Sequence, residues 1–233
     1  MRSYIAFFLL SAVKIVARLF YRVEMTWIGN PPADRWHHLQ LVAILNHTSL
    51  FEPLFLGGVP FSFCWRMARH GVVPIAKKTS SRALVGTFYK MLAKNVVPIT
   101  RARDETWKQV LEGIDPDAMV AILPEGRMKR ATGLDSEGRP MTVRGGIADI
   151  LHSIGEGRML LAYSGGLHHV QVPGQRFPKL FRTLRMRLEL VDIGAYRREM
   201  VEKAGGHEKF KDAVIADLEH RRDTHCPSAD SAS

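Results

Sequence analysis

Three features of the sequence predict a single α/β domain with a largely parallel central sheet flanked by helices, preceded by an amphipathic, membrane-associating helix at the N-terminus. Apolar runs of strand length alternate with helical segments, as in a sheet built from crossover units. Polar motifs recur at the ends of those runs, where open α/β sheets hold their ligands. No internal repeat and no long linker divides the 233 residues.

The first 22 residues are assigned to the N-terminal helix. Tyr4 to Val13 is apolar apart from Ser11, and Lys14 ends the run. A spanning helix needs about 20 apolar residues, so this run is expected to lie in a membrane interface rather than cross it. Lys14, Arg18 and Arg22 recur every four residues and share one helical face, with Ile15, Val16, Leu19, Phe20 and Tyr21 filling the other. A basic amphipathic helix of this kind suits an anionic bilayer surface. Two other readings stay open: a signal peptide, which lacks a small-x-small cleavage site before Lys14, and a first helix packed on its own domain.

Strands are expected at His38–Leu45, Phe61–Met67, Val96–Ile99, Ala118–Leu123, Met159–Tyr163 and Thr183–Ile193. The last alternates Leu184, Met186, Leu188 and Leu190 against Arg185, Arg187 and Glu189, which gives it one wet face. Helices are expected at Leu54–Gly57, Ser80–Lys94, Asp104–Gly113, Val143–Ile154 and Gly206–Arg222. Lys129 to Thr142 reads as a polar loop. The domain proper is placed at 23–222 and a disordered tail at 223–233.

Composition narrows the function. With 33 Lys and Arg against 23 Asp and Glu, the chain carries +10, which favours an anionic partner. From Pro53 to Arg103 there is no acidic residue, while Arg66, Arg69, Lys77, Lys78, Arg82, Lys90, Lys94, Arg101 and Arg103 fall within that stretch. A surface of one sign gathers phosphates. Two cysteines, Cys64 and Cys226, exclude a disulfide scaffold and a four-cysteine zinc site. His37, His38, His168 and His169 lack zinc-ligand spacing, the glycine pairs form no nucleotide fingerprint, and the four tryptophans are too scattered for a base-stacking platform. No nucleic acid, metal or bound cofactor is therefore expected.

The chemistry concentrates at Asn46-His47-Thr48-Ser49-Leu50-Phe51-Glu52-Pro53, directly after a buried strand. On one helix, His47 and Glu52 would diverge by about 140°. They meet if His47 stands on the loop and Glu52 opens the next helix, and Pro53 favours that first turn. A carboxylate on one imidazole nitrogen leaves the other basic, able to take a proton from a hydroxyl. A lone surface histidine beside an unrelated capping Glu is the alternative.

His47, four intervening residues and Glu52 resemble the first motif of the glycerolipid acyltransferases, a family that includes the 1-acylglycerol-3-phosphate acyltransferases and usually has Asp at the second position. Val97 to Arg101 is similar to their second motif, an apolar strand ending in Arg. Leu123-Pro124-Glu125-Gly126-Arg127-Met128 is similar to the third, F-P-E-G-T-R, with the Pro-Glu-Gly core kept but Arg127 and Met128 at its last two positions. Met159 to Gly166 stands where the fourth belongs but lacks its proline, and Arg144-Gly145-Gly146 matches a basic-glycine helix start. The likeness covers roughly residues 20–195. It implies acyl transfer from acyl-CoA or acyl carrier protein to an acceptor hydroxyl, 1-acylglycerol-3-phosphate by default. His47 would be the base, oriented by Glu52. Arg101 would bind the acceptor phosphate, Glu125 and Gly126 would shape the acceptor site, and Arg127 would stand in for the missing motif arginine. It also implies a peripheral or monotopic protein on the cytoplasmic face. The acceptor stays open to another lysolipid or an acylated amino-acid lipid. A non-catalytic binder of anionic lipid or nucleic acid is the competing class.

Overall fold

The computed structural model describes residues 1–81, 86, 88, 91–100, 104–172, 175 and 177–228. Among the described residues seven strands form one sheet: β1 (Tyr21–Trp27), β2 (Leu39–Leu45), β3 (Gly71–Ala76), β4 (Asn95–Ile99), β5 (Met119–Ile122), β6 (Arg158–Ser164) and β7 (Arg182–Asp192). Their order is β1-β7-β6-β2-β5-β3-β4. Every described pairing is parallel except β6 with β7. The sheet is the expected largely parallel one, closed on one side by a reversed β7–β1 pair.

Helices cover both faces. Helices α1 (Arg2–Phe20) and α2 (Phe61–His70) lie on one side, where Leu10, Phe63 and Met67 pack with Val42, Leu160 and Ala162 of the sheet. On the other face Leu41, Ala43, Leu161 and Tyr163 pack with α3 (Glu105–Glu112), α4 (Gly146–Ile154), α5 (Ile193–Ala204) and α6 (Phe210–His225). Strands buried on both faces must be apolar at nearly every position, and β6 is buried from Met159 to Ser164. Capping residues set several helix ends. Asp104 accepts the amide of Thr106 to start α3, and Asp192 accepts that of Ala195 to start α5. Gly205, with a φ of +68°, ends α5.

Two expectations need correction, and a strand is added. Phe61–Met67 is a helix, not a strand: the buried positions Phe63, Cys64, Met67 and Ala68 follow helical spacing, with Arg66 and Arg69 on the other face. Gly71–Ala76 is a strand that the expected set did not include; β5 pairs only with its Gly71 and Val72 and leaves the missing donor of Pro74 unneeded on that side. The N-terminal helix stops at Phe20, so Arg22 belongs to β1, where it pairs with Glu24.

The orientation of α1 differs from the sequence reading too. Its buried line is Ala6, Leu10, Lys14 and Ala17, against the 3-10 turn Glu52–Gly58. Lys14 is 1% exposed, and its ammonium donates to the carbonyls of Leu56, Gly57 and Val59. The Nε of Arg18 donates to the Gly57 carbonyl at 2.8 Å. Both cations thus face carbonyls at the end of the turn, the negative end of its peptide dipoles, rather than lipid. Tyr4, Phe8, Ile15, Val16 and Leu19 face outward. Gly57 allows the close approach: a Cβ there would sit 3.1 Å from that of Ala17. The apolar run of α1 was expected to be too short to span, but the helix continues past Lys14 to Phe20, and by length and composition α1 is long and apolar enough to cross a membrane.

The helices expected at Asp104–Gly113 and Val143–Ile154 are α3 and α4, α4 beginning at Gly146. That expected at Leu54–Gly57 is the 3-10 turn, and that at Ser80–Lys94 falls in part outside the described residues. The last helix, α6, runs to His225 and takes in the first three residues of the expected tail, 223–225, while 229–233 lie outside the described residues.

Candidate active site

The strand order β6-β2-β5 sets three parallel strand ends side by side, and the polar motifs leave the sheet there. After Leu45, Asn46 takes a φ of +64°, a left-handed conformation that Asn tolerates better than most residues. This turns the chain sharply at the strand end. The Asn46 side-chain amide donates to the Ser164 carbonyl of β6 at 2.8 Å, tying the turn to the neighbouring strand.

His47 and Glu52 come together across the turn, with His47 Nδ1 3.1 Å from Glu52 Oε1. The contact is an ion pair when the imidazole is protonated, and the carboxylate stays against that nitrogen when it is neutral. The same oxygen accepts the amides of Thr48 and Ser49, each at 3.0 Å, which fixes the carboxylate at the start of the 3-10 turn. Both side chains are buried. Burial pushes the His47 pKa down, but the Glu52 charge, the side-chain interaction with Glu52 and the Glu125 charge outweigh it and hold the imidazole above its usual value. Nδ1 faces Glu52, so Nε2 is the nitrogen left for a substrate.

Glu125 lies beneath the loop rather than against the open site, with 1% exposure. Oε2 accepts the His47 amide at 2.8 Å and Oε1 the Asn46 amide at 3.1 Å. Arg222, from α6, approaches Oε1 to 3.4 Å and donates to the Met141 carbonyl at 3.0 Å. A loop between strands carries amides that no sheet partner satisfies, and this carboxylate satisfies two of them. Gly126 supplies conformation, with a φ of +61°; the nearest atom to a Cβ there, Arg144 Cγ, is 3.8 Å away.

Arg127 donates to Asp135, which is buried and also accepts the amides of Glu137 and Arg139. The guanidinium of Arg127 reaches the site with its charge already balanced. The Lys129 amide donates to the His47 carbonyl at 2.7 Å, closing the loop from the far side. His168 Nε2 donates to the Lys129 carbonyl and His169 Nε2 to that of Thr183, so both have main-chain partners. Arg101 lies outside the described residues. Asn46 was foreshadowed by an Asn at a strand end; Lys129 and Arg222 carried no sequence signal.

A cavity of about 670 Å³ opens beside this pair. Leu10, Val42, Phe55, Phe63, Leu160 and Leu188 line its apolar depth, and Arg127, Arg144 and Lys211 also line it. It has the volume and chemistry of a pocket for a long apolar ligand with a polar end.

No family model and no curated protein matches this sequence. Among solved structures the fold is similar to that of the 1-acyl-sn-glycerophosphate (LPA) acyltransferase PlsC from Thermotoga maritima. The two chains are 17% identical, the match covers 96% of this chain and 81% of that one, and the TM-score is 0.53. At that identity the likeness establishes a shared α/β fold.

Proposed function

We propose that this chain is an acyltransferase that moves a fatty acyl group from acyl-CoA or acyl carrier protein to the hydroxyl of a lysophospholipid such as 1-acylglycerol-3-phosphate. The observation that carries this reading is the buried His47–Glu52 pair at a large, mostly apolar cavity. Such a cavity suits an acyl chain, and such a pair suits a hydroxyl nucleophile. His47 Nε2 takes the hydroxyl proton as the oxygen attacks the thioester carbonyl. The tetrahedral intermediate then expels the thiolate, which takes that proton from the imidazolium. The products are an ester and a free thiol. A thiol with a pKa near 8.5 leaves readily, so a strong acid is not needed.

Arg144 and Lys211 line the cavity and, together with Arg101, are candidates for the acceptor phosphate. Gly126 shapes the wall beside them, while Glu125 serves the acceptor through the loop it holds. The outward apolar row of α1 supports attachment to an anionic bilayer, and a cytosolic thioester donor supports the cytoplasmic face. The test is release of thiol from acyl-CoA or acyl carrier protein in the presence of lysophosphatidate and other lysolipids. Turnover by the native chain and its loss in His47→Ala, with unchanged circular dichroism, is the expected result. Lipid binding without turnover by any acceptor would make the chain a binder instead.

A further inference from the structure

Phe177, Leu180 and Phe181 stand out from the segment leading into β7, with 72%, 45% and 77% of their surfaces exposed. Apolar side chains grouped so far into solvent mark a contact surface. Phe181 has a φ of +56°, costly for a bulky aromatic residue. Its amide donates to the Phe20 carbonyl at 2.7 Å, and the two rings lie 6.1 Å apart. The last residue of α1 therefore holds the Phe181 backbone while its ring points away from the core.

The patch is continuous with the outward row of α1 at Phe20 and Leu19. Lys179 and Arg182 flank the phenylalanines, both exposed, and neither side chain has an ion-pair partner among the described residues. Apolar rings framed by unpaired cations are complementary to a surface that is greasy inside and negative at its rim. A soluble protein partner would satisfy the rings, but it need not supply phosphates on both sides of them.

We infer that the loop Phe177–Phe181 is a second membrane contact whose occupant is an anionic lipid bilayer: its rings enter the acyl boundary while Lys179 and Arg182 meet headgroup phosphates. A single interfacial helix leaves the domain free to roll about the helix axis. A second contact fixed to its end through Phe20 and Phe181 removes that freedom. It then sets which side of the domain, and so which mouth of the cavity, faces lipid. The inference rests on the proposed membrane attachment and is independent of acyl transfer.

The experiment is flotation of the full chain with vesicles of phosphatidylglycerol and phosphatidylcholine, and with phosphatidylcholine alone. Phe177→Ser combined with Phe181→Ser is expected to lower partitioning about tenfold or more on both. Lys179→Gln combined with Arg182→Gln is expected to lower it only on the anionic vesicles. Near-ultraviolet circular dichroism confirms folding, which these exposed positions leave intact. Unchanged partitioning of the double serine variant overturns the inference, as does failure of the native chain to float. Sedimentation without lipid is the third arm: a native dimer that the serine variant abolishes also overturns it, because the occupant is then a second copy. Loss of flotation in the serine variant alongside absent thioester turnover in every protein would sink the acyl-transfer reading and leave this one standing.

Discussion

Arg222 and Glu125 are 97 residues apart in sequence and 3.4 Å apart in the fold. Glu125 holds the amides of Asn46 and His47, so the last helix braces the loop that carries His47. Removing one partner of a buried pair typically costs about 3–5 kcal/mol. Arg222→Met should therefore lower stability by about 3 kcal/mol. Arg222→Met in a Glu125→Gln background should cost less than the sum of the two, because the charge left behind is gone. Chemical denaturation of the four proteins measures the coupling, and strict additivity would separate Arg222 from the loop.

Glu52 is the second prediction. Glu52→Gln keeps an oxygen for the Thr48 and Ser49 amides but removes the charge beside Nδ1. The imidazole loses basicity, and kcat should fall about 10²-fold or more while the fold persists. Glu52→Asp withdraws the carboxylate by about 1.5 Å, one carbon–carbon bond. It should also lose activity here, because Oε1 serves both amides and lies against the ring at the length of the glutamate arm. Activity equal to the native chain in the aspartate variant would mean that the turn adjusts.

The raised pKa of His47 gives opposite pH trends in activity and stability. A base must be neutral, so kcat/KM should rise with pH and level off only above the usual histidine value of about 6.5. Stability runs the other way. A folded-state pKa above the unfolded one means the protonated ring favours the fold; that contribution is complete below about 6.5 and is lost as pH rises through the folded value. Histidine NMR titration locates the folded pKa. Glu52→Gln should move it downward together with the acid limb of the rate profile, and a limb that stays put would assign it to another group.

Lys14 separates anchoring from architecture. Lys14→Met keeps most of the bulk but strips donors from the carbonyls of Leu56, Gly57 and Val59. Losing a charged donor to buried acceptors should cost about 1–3 kcal/mol and lower Tm. Vesicle binding at a temperature where the variant is folded should not change, because Lys14 faces the domain. A loss of lipid binding with Tm unchanged would return Lys14 to the membrane surface.

Much of this protein follows from local pattern alone. Strands β2, β5, β6 and β7 are legible because strands buried on both faces must be continuously apolar, or must alternate where one face is wet. Helix α3 is legible from Asp104 and Gly113 at its ends. The pairing of His47 with Glu52 could be anticipated because Pro53 forces a helical start between a strand end and a carboxylate five residues on. Other features depended on contacts that no local window contains. Phe61–Met67 reads as strand by composition, and only the docking of Phe63 and Met67 against the sheet makes it helix. Gly71–Ala76 was absent from the strands read by pattern, and its short pairing with β5 is what lets Pro74 stay in a strand. The spacing of Lys14 and Arg18 placed both on one face but could not say which way that face points. Carbonyls at the end of the 3-10 turn, 39 to 45 residues away, drew it inward and turned the apolar side out. Arg222 is the same case at longer range: a sequence encodes which residues can pair, and only the assembled fold, by burying Glu125 under a loop with unmet amides, determines which cation must come to it.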